Sequence, residues 1–160
     1  IAPFANWMPK EWPITNFNKC CKSLLELGIS KIFVLGSKDD TKRFHLLFKS
    51  NGFKIINKCG SNHLLDDLAL LKKSSIFIGN DSGMMHLSSI AKTPSICLFG
   101  PTDDKIYFPK LSDQSYLVRS AQTHRELTSH ILNLNNYDKC LMNDISYDKV
   151  ELLMKKILNG

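Results

Sequence analysis

Short apolar runs alternate with stretches of helical periodicity along this chain, and that alternation sets the tightest limit on its fold. Lys31 to Gly36 (KIFVLG) is a continuous apolar run, the mark of a strand covered on both faces. Phe53 to Asn57, Ser75 to Gly79 and Ser95 to Phe99 read as further strands, and Ser115 to Arg119 as one more. Between them lie helical segments. Residues 14–28 place apolar side chains at Phe17, Cys20, Cys21, Leu24, Leu25 and Leu27, with Pro13 at the start and Gly28 at the end. Residues 39–51 open on acids and stop before Gly52, and residues 63–73 carry acids early and lysines late, as a helix dipole favours. Helices are also expected over 83–92, in a weaker form over 124–132, and over 147–158, where Ser146 is a cap and Asn159-Gly160 an end. Residues 133–144 read as an irregular connector. Strands alternating with helices of this length predict an α/β fold: a parallel sheet with helices on both faces.

In such sheets ligands sit outside the carboxyl ends of the strands. The segment Asn80-Asp81-Ser82-Gly83 falls there, between a strand and a helix. A helix start offers free amides and a positive dipole end to an anion. Ser82 adds a hydroxyl, and Gly83 leaves the backbone approachable. The plainer reading of Asp81 or Ser82 is a helix cap. His86, within the first turns of the same helix, either reaches a ligand or packs. Met84 and Met85 are expected in the core. Lys10 either swings over the crevice as a point charge or lies on the surface. Asp39 and Asp40 follow a strand, where an acid takes a ribose hydroxyl or starts the next helix. Ser61-Asn62 either borders a base or makes a turn.

The length of 160 residues fits one domain, and 43% hydrophobic with 22% charged residues matches an ordinary globular chain. No apolar run reaches the ~18 residues of a membrane span. The start, Ile1-Ala2-Pro3-Phe4, has neither a signal-peptide pattern nor a methionine, and the chain is expected to be a piece of something longer. Five cysteines without a CxxC are expected as reduced, mostly buried thiols. The histidines lack metal-ligand spacing, so no metal site is expected. A formal charge of +6 draws phosphates or an anionic membrane surface, or is simply a lysine-rich surface. No arginine-rich, aromatic-interleaved stretch points to nucleic acid. No GxGxxG, GxxxxGKS or nucleophile elbow is present. The residues alone therefore reach an α/β domain that binds a phosphorylated small molecule at strand ends.

Several elements together carry a resemblance. They are Lys10-Glu11-Trp12-Pro13, Gly79 through Leu87 (GNDSGMMHL), Thr93-Pro94, Phe99-Gly100-Pro101-Thr102, and Cys140-Leu141-Met142 followed by Ile145 through Val150. In this order they resemble the carboxyl-terminal domain of glycosyltransferase family 9, the ADP-heptose:lipopolysaccharide heptosyltransferases. The match runs over about residues 3–155. The resemblance implies a two-domain GT-B enzyme whose Rossmann-like carboxyl-terminal half binds ADP-heptose, while an amino-terminal half, absent here, holds a lipid A–Kdo-type acceptor and a general base. It implies donor contacts at Lys10, Ser82 and Gly83 to the diphosphate, at Asp81 and His86 near the sugar and phosphates, and at Asp40 or Asp39 to the ribose. Ser61 and Asn62 would lie beside the adenine, and Thr102 belongs to the same donor set. The implied reaction inverts the anomeric centre without a metal or cofactor, and the implied location is cytoplasmic, peripheral to an anionic inner membrane. On that reading this chain alone transfers no sugar. A family 9-like transferase for another nucleotide-sugar, or a non-catalytic nucleotide-binding module, fits the same residues. Two departures stand out. Met84 occupies the usual proline position, and Ala5-Asn6 lacks the hydroxyls some members carry there.

Overall fold

The structure, a computed structural model, describes residues 1–48, 54–60, 63–109, 113–122, 125–129 and 140–160. All its strand pairings are parallel. β1 (Ile32–Val34) pairs with β2 (Ile55–Asn57), and β3 (Phe77–Asn80) pairs with β4 (Ser95–Phe99), which pairs with β5 (Ser115–Arg119). The opening residues lie between the two groups. On one side Ile1 N donates to Phe33 O and Leu35 N to Ile1 O; on the other Ala2 N donates to Ile78 O and Asn80 N to Ala2 O. A parallel bridge joins Ala2 and Gly79. The spatial order is therefore β2, β1, opening segment, β3, β4, β5. This is the doubly wound order, with its reversal between the opening segment and β3.

Helices α1 (Ile14–Glu26), α2 (Asp40–Leu47), α3 (Leu64–Lys72), α4 (Gly83–Ile90), α5 (Asp104–Tyr107) and α6 (Tyr147–Asn159) connect and cover the strands. Two apolar clusters explain why the strands read as continuous runs. Ile78, Ile96, Leu98 and Val118 pack with α1, α2 and α6 through Phe17, Cys20, Leu24, Phe44, Val150 and Met154. Phe77, Cys97 and Phe99, the alternate residues, pack with α3 and α4 through Leu71, Met85 and Leu87. Successive side chains of a strand point to opposite faces, so both faces of β3 and β4 are apolar and both are covered.

The strands are shorter than the apolar runs suggested. β1 is Ile32–Val34, the residues in register with β2, and Leu35 beyond them still donates its amide to Ile1 O of the opening segment. β3 begins at Phe77 and includes Asn80. Helix α4 ends at Ile90, two residues before the expected Lys92, because Lys92 turns left-handed at φ 58. The expected helix over 39–51 is seen as Asp40–Leu47, and residues 49–51 lie outside the described residues. Residues 125–129 are helical, and 140–144 are irregular. α5 and a 3-10 turn over Met8–Lys10 were not anticipated. All five cysteines are free thiols, four of them buried. Among the described residues no helix is long and apolar enough to cross a membrane.

Candidate functional site

The reversal of strand order opens a crevice between the segment after residue 3 and the carboxyl end of β3. One buried side chain shapes both walls. Asn80 donates its Nδ2 to Pro3 O at 2.8 Å and accepts the Trp12 amide on Oδ1 at 3.1 Å. It thereby closes the neck of the loop from Pro3 to Trp12. Trp12 is anchored in turn, with its Nε1 donating to Ile145 O at 2.9 Å and its ring edge-on to Phe17 at 5.3 Å. Inside the loop the 3-10 turn brings the Lys10 amide to Trp7 O and the Glu11 amide to Met8 O. Lys10 is thereby carried to the crevice.

There Lys10 Nζ meets Asp81 Oδ2 at 3.2 Å, with the two side chains 20% and 8% exposed. Next to them α4 begins. Ser82 is its N-cap position in extended conformation, yet its side chain makes no capping bond. Asp81 does not cap the helix either; its oxygen serves Lys10, and its amide donates to Leu98 O. The capping reading of these two residues is therefore corrected. Ser82 Oγ is buried and, like the buried Thr102 Oγ1, has no hydrogen-bond partner among the described residues. A buried hydroxyl without a partner costs free energy, about 1–3 kcal/mol, and such groups call for an explanation.

A cleft of about 370 Å³ gathers these groups: Lys10, Asp81, Ser82, Gly83, His86 and Thr102 line it together with Asn6 and Tyr107. An added Cβ at Gly83 would meet nothing within 4 Å, so the backbone at the helix start is open to an approaching group. His86 is exposed at this rim, and Met84 is partly buried against the α3–α4 cluster. The helix starts at Gly83 with Met84 in place, so it forms without a proline. The arrangement of one lysine, free amides, two spare hydroxyls and a positive helix end suits an anion with several oxygens.

Asp39 and Asp40 do not line this cleft. Asp40 Oδ2 accepts the Ser37 amide at 2.8 Å and the Ser37 hydroxyl at 2.7 Å, and its Oδ1 pairs with Arg43 at 3.2 Å. Asp39 is exposed at the start of α2 and makes no side-chain cap. Ser61 and Asn62 lie outside the described residues. Asn80 and Asn6 stand in the segments singled out from the sequence but without a role of their own, and Tyr107 was not singled out at all. Asn80 had a signal, as the polar residue that ends an apolar run. Tyr107 belongs to α5, a four-residue helix capped by Asp103 Oδ1 and too short for periodicity to reveal. A hollow of about 460 Å³ at the amino ends of β1 and β3 is lined by Leu24, Ile32, Leu71 and Phe77 among others, and brings together no acid and no histidine.

A family model described as "Glycosyltransferase family 9 (heptosyltransferase)" matches residues 1–136. Similar proteins include lipooligosaccharide heptosyltransferase 2 of Haemophilus influenzae, 30% identical over 124 residues, which are 74% of this chain and 35% of that one. The lipooligosaccharide heptosyltransferase 2 of Haemophilus ducreyi is 32% identical over 126 residues, 74% of this chain and 36% of its own. Among solved structures, the E. coli ADP-heptose lps heptosyltransferase II superposes with a TM-score of 0.81 at 20% identity, covering 99% of this chain and 45% of that chain. The E. coli heptosyltransferase WaaC with ADP gives 0.73 at 17% identity, over 98% and 43%. These superpositions concern the fold. The chain spans less than half the length of each of these proteins.

Proposed function

Since the chain belongs to glycosyltransferase family 9, we propose that it forms the donor-binding part of an inverting heptosyltransferase of lipopolysaccharide assembly, with ADP-heptose as the donor. The observation that carries this reading is the cleft at the strand reversal. Its lysine, open helix start and two unpartnered buried hydroxyls match the oxygens of a diphosphate. Lys10 and the amides after Ser82 face the phosphates; Ser82 Oγ and Thr102 Oγ1 donate to phosphate oxygens. His86 lies toward the sugar. The ribose contact is assigned to Asp40 or Asp39, which start α2 and lie outside the lining of this cleft; among the described residues Asp40 Oδ1 accepts only from Arg43 and keeps acceptor capacity.

In the reaction an acceptor hydroxyl, deprotonated as it attacks, forms a bond to the anomeric carbon from the face opposite the leaving group. The bond from that carbon to the ADP oxygen breaks, and the electron pair leaves with ADP. Negative charge grows on that phosphate, where the α4 start and Lys10 stabilise it before any rearrangement is needed. The acceptor, a lipid A–Kdo-type glycolipid, and the general base belong to an amino-terminal domain. The full-length enzyme works at the cytoplasmic face of the inner membrane, and the +6 charge of this chain favours peripheral contact with anionic lipid.

Calorimetric titration of ADP, UDP and GDP tests the donor class. Measurable binding of ADP with far weaker binding of UDP and GDP is expected. Preference for UDP or GDP would point to another nucleotide-sugar, and failure of all three to bind would overturn the reading.

A further inference from the structure

Behind Lys10 lies a layer of charge that the cleft does not use. Glu11 is a buried carboxylate, 7% exposed. Arg43, reaching across from α2, takes both of its oxygens: NH1 donates to Oε1 at 2.9 Å and NH2 to Oε2 at 2.5 Å. Glu11 Oε1 also accepts the Ala5 amide at 2.8 Å, which closes the loop from Ala5 to Glu11 on itself. Arg43 is held in turn by Asp40 Oδ1 at 3.2 Å and lies over the Phe4 ring at 4.6 Å. A planar guanidinium bound at two points fixes direction as well as distance, which a lysine cannot do. Arg43 does not line the cleft.

We propose that Arg43 is a positioning residue. Through its forked contact to Glu11 it holds the loop from Ala5 to Glu11 so that Lys10 stands at the cleft before any ligand arrives. The inference rests on the reading that Lys10 meets a diphosphate. Asn80 closes the neck of the loop, and the Glu11–Arg43 pair sets the pose of its interior. Without the pair, Lys10 and its turn must be ordered at the moment of binding, and that ordering weakens binding by about 3- to 10-fold. A stabilising contact with no part in binding would lower thermal stability and leave ADP affinity unchanged.

The test is a double-mutant cycle on the full-length protein, read as ADP affinity by calorimetry. The variants are Arg43→Met, Lys10→Ala and the two combined. Arg43→Met is expected to weaken ADP binding about 3- to 10-fold in the parent and less than about 2-fold in the Lys10→Ala background. Equal losses in both backgrounds would overturn the inference, because the effect would not pass through Lys10. No loss in either would overturn it as well. If Lys10→Ala alone leaves ADP affinity unchanged, the diphosphate reading of the cleft falls, and this inference with it. Arg43→Met strands a buried carboxylate and can impair folding. Glu11→Gln combined with Arg43→Met removes the charge pair without that penalty, and the same cycle with this combination must give the same pattern.

Discussion

On the proposed donor-binding reading, two side chains, Lys10 and Asp81, decide how the cleft treats an anion. Their 3.2 Å contact gives Lys10 a partner inside the protein, so a diphosphate must share or displace it. Lys10→Ala removes a charge-assisted contact of about 1.5–3 kcal/mol, and calorimetry should show ADP binding weakened about 10- to 150-fold. Asp81 acts in the opposite sense. Asp81→Asn frees Lys10 and removes a negative charge from beside the phosphates. ADP binding should then tighten, by up to about fivefold, the equivalent of the ~1 kcal/mol that a partly exposed ion pair holds. A weaker complex in Asp81→Asn would show that the carboxylate itself serves the ligand. The sequence made the type of site legible, because Asp81, Ser82 and Gly83 follow a strand and open a helix. It could not show that Lys10, seventy-one positions earlier, pairs with Asp81. Nor could it show that Asp40 spends its oxygens on Ser37 and Arg43. Such pairings depend on side-chain geometry in space, which spacing along the chain does not encode.

Helix ends show what local pattern reveals and what it hides. α1 ends in paired bonds, Ile29 N to Leu24 O and Gly28 N to Leu25 O, around Gly28 at φ 94. This is the Schellman arrangement, and a glycine at the left-handed position announces it in the sequence. α4 ends identically, with Thr93 N to Ser88 O and Lys92 N to Ser89 O, but the left-handed residue is Lys92 at φ 58. Here the stop signal is Pro94, which disfavours helix at Thr93 but does not mark the left-handed turn at Lys92, so the helix extends two residues too far in the sequence reading. A residue with a Cβ pays about 1–2 kcal/mol in this conformation. Lys92→Gly should therefore raise stability by about 0.5–1 kcal/mol, the relief being partly offset by a more flexible unfolded chain. Urea unfolding measures it, and a lowered midpoint would contradict the account. The opening strand was missed for a related reason. Only Ala2 makes a bridge, to Gly79, before Pro3, too short a run to show alternation.

At the scale of the molecule, the parallel order and two-sided packing followed from the alternation of runs, whereas the place of the opening segment needed the hydrogen bonds on both of its sides. The same two-sided burial governs the thiols. Burial pushes Cys97 from 9.0 up to about 12, and Cys21 and Cys59 up to about 11. The folded state keeps these groups neutral where the unfolded chain would already ionise. Their contribution to stability is therefore complete below about pH 9 and is lost as pH climbs through 11 to 12. Thiolate absorbance of the native protein should stay low near pH 9.5 and rise sharply on adding denaturant at that pH; equal absorbance in both states would refute the shift. The staple made by Asn80 has a consequence in time. It joins residue 80 to positions 77 and 68 places earlier in the chain. During synthesis the lysine-bearing loop leaves the ribosome well before the residue that closes it, so the cleft takes shape only after β3 has been made and docked and after α4 and α5, which follow it in the chain, have supplied their part of the lining.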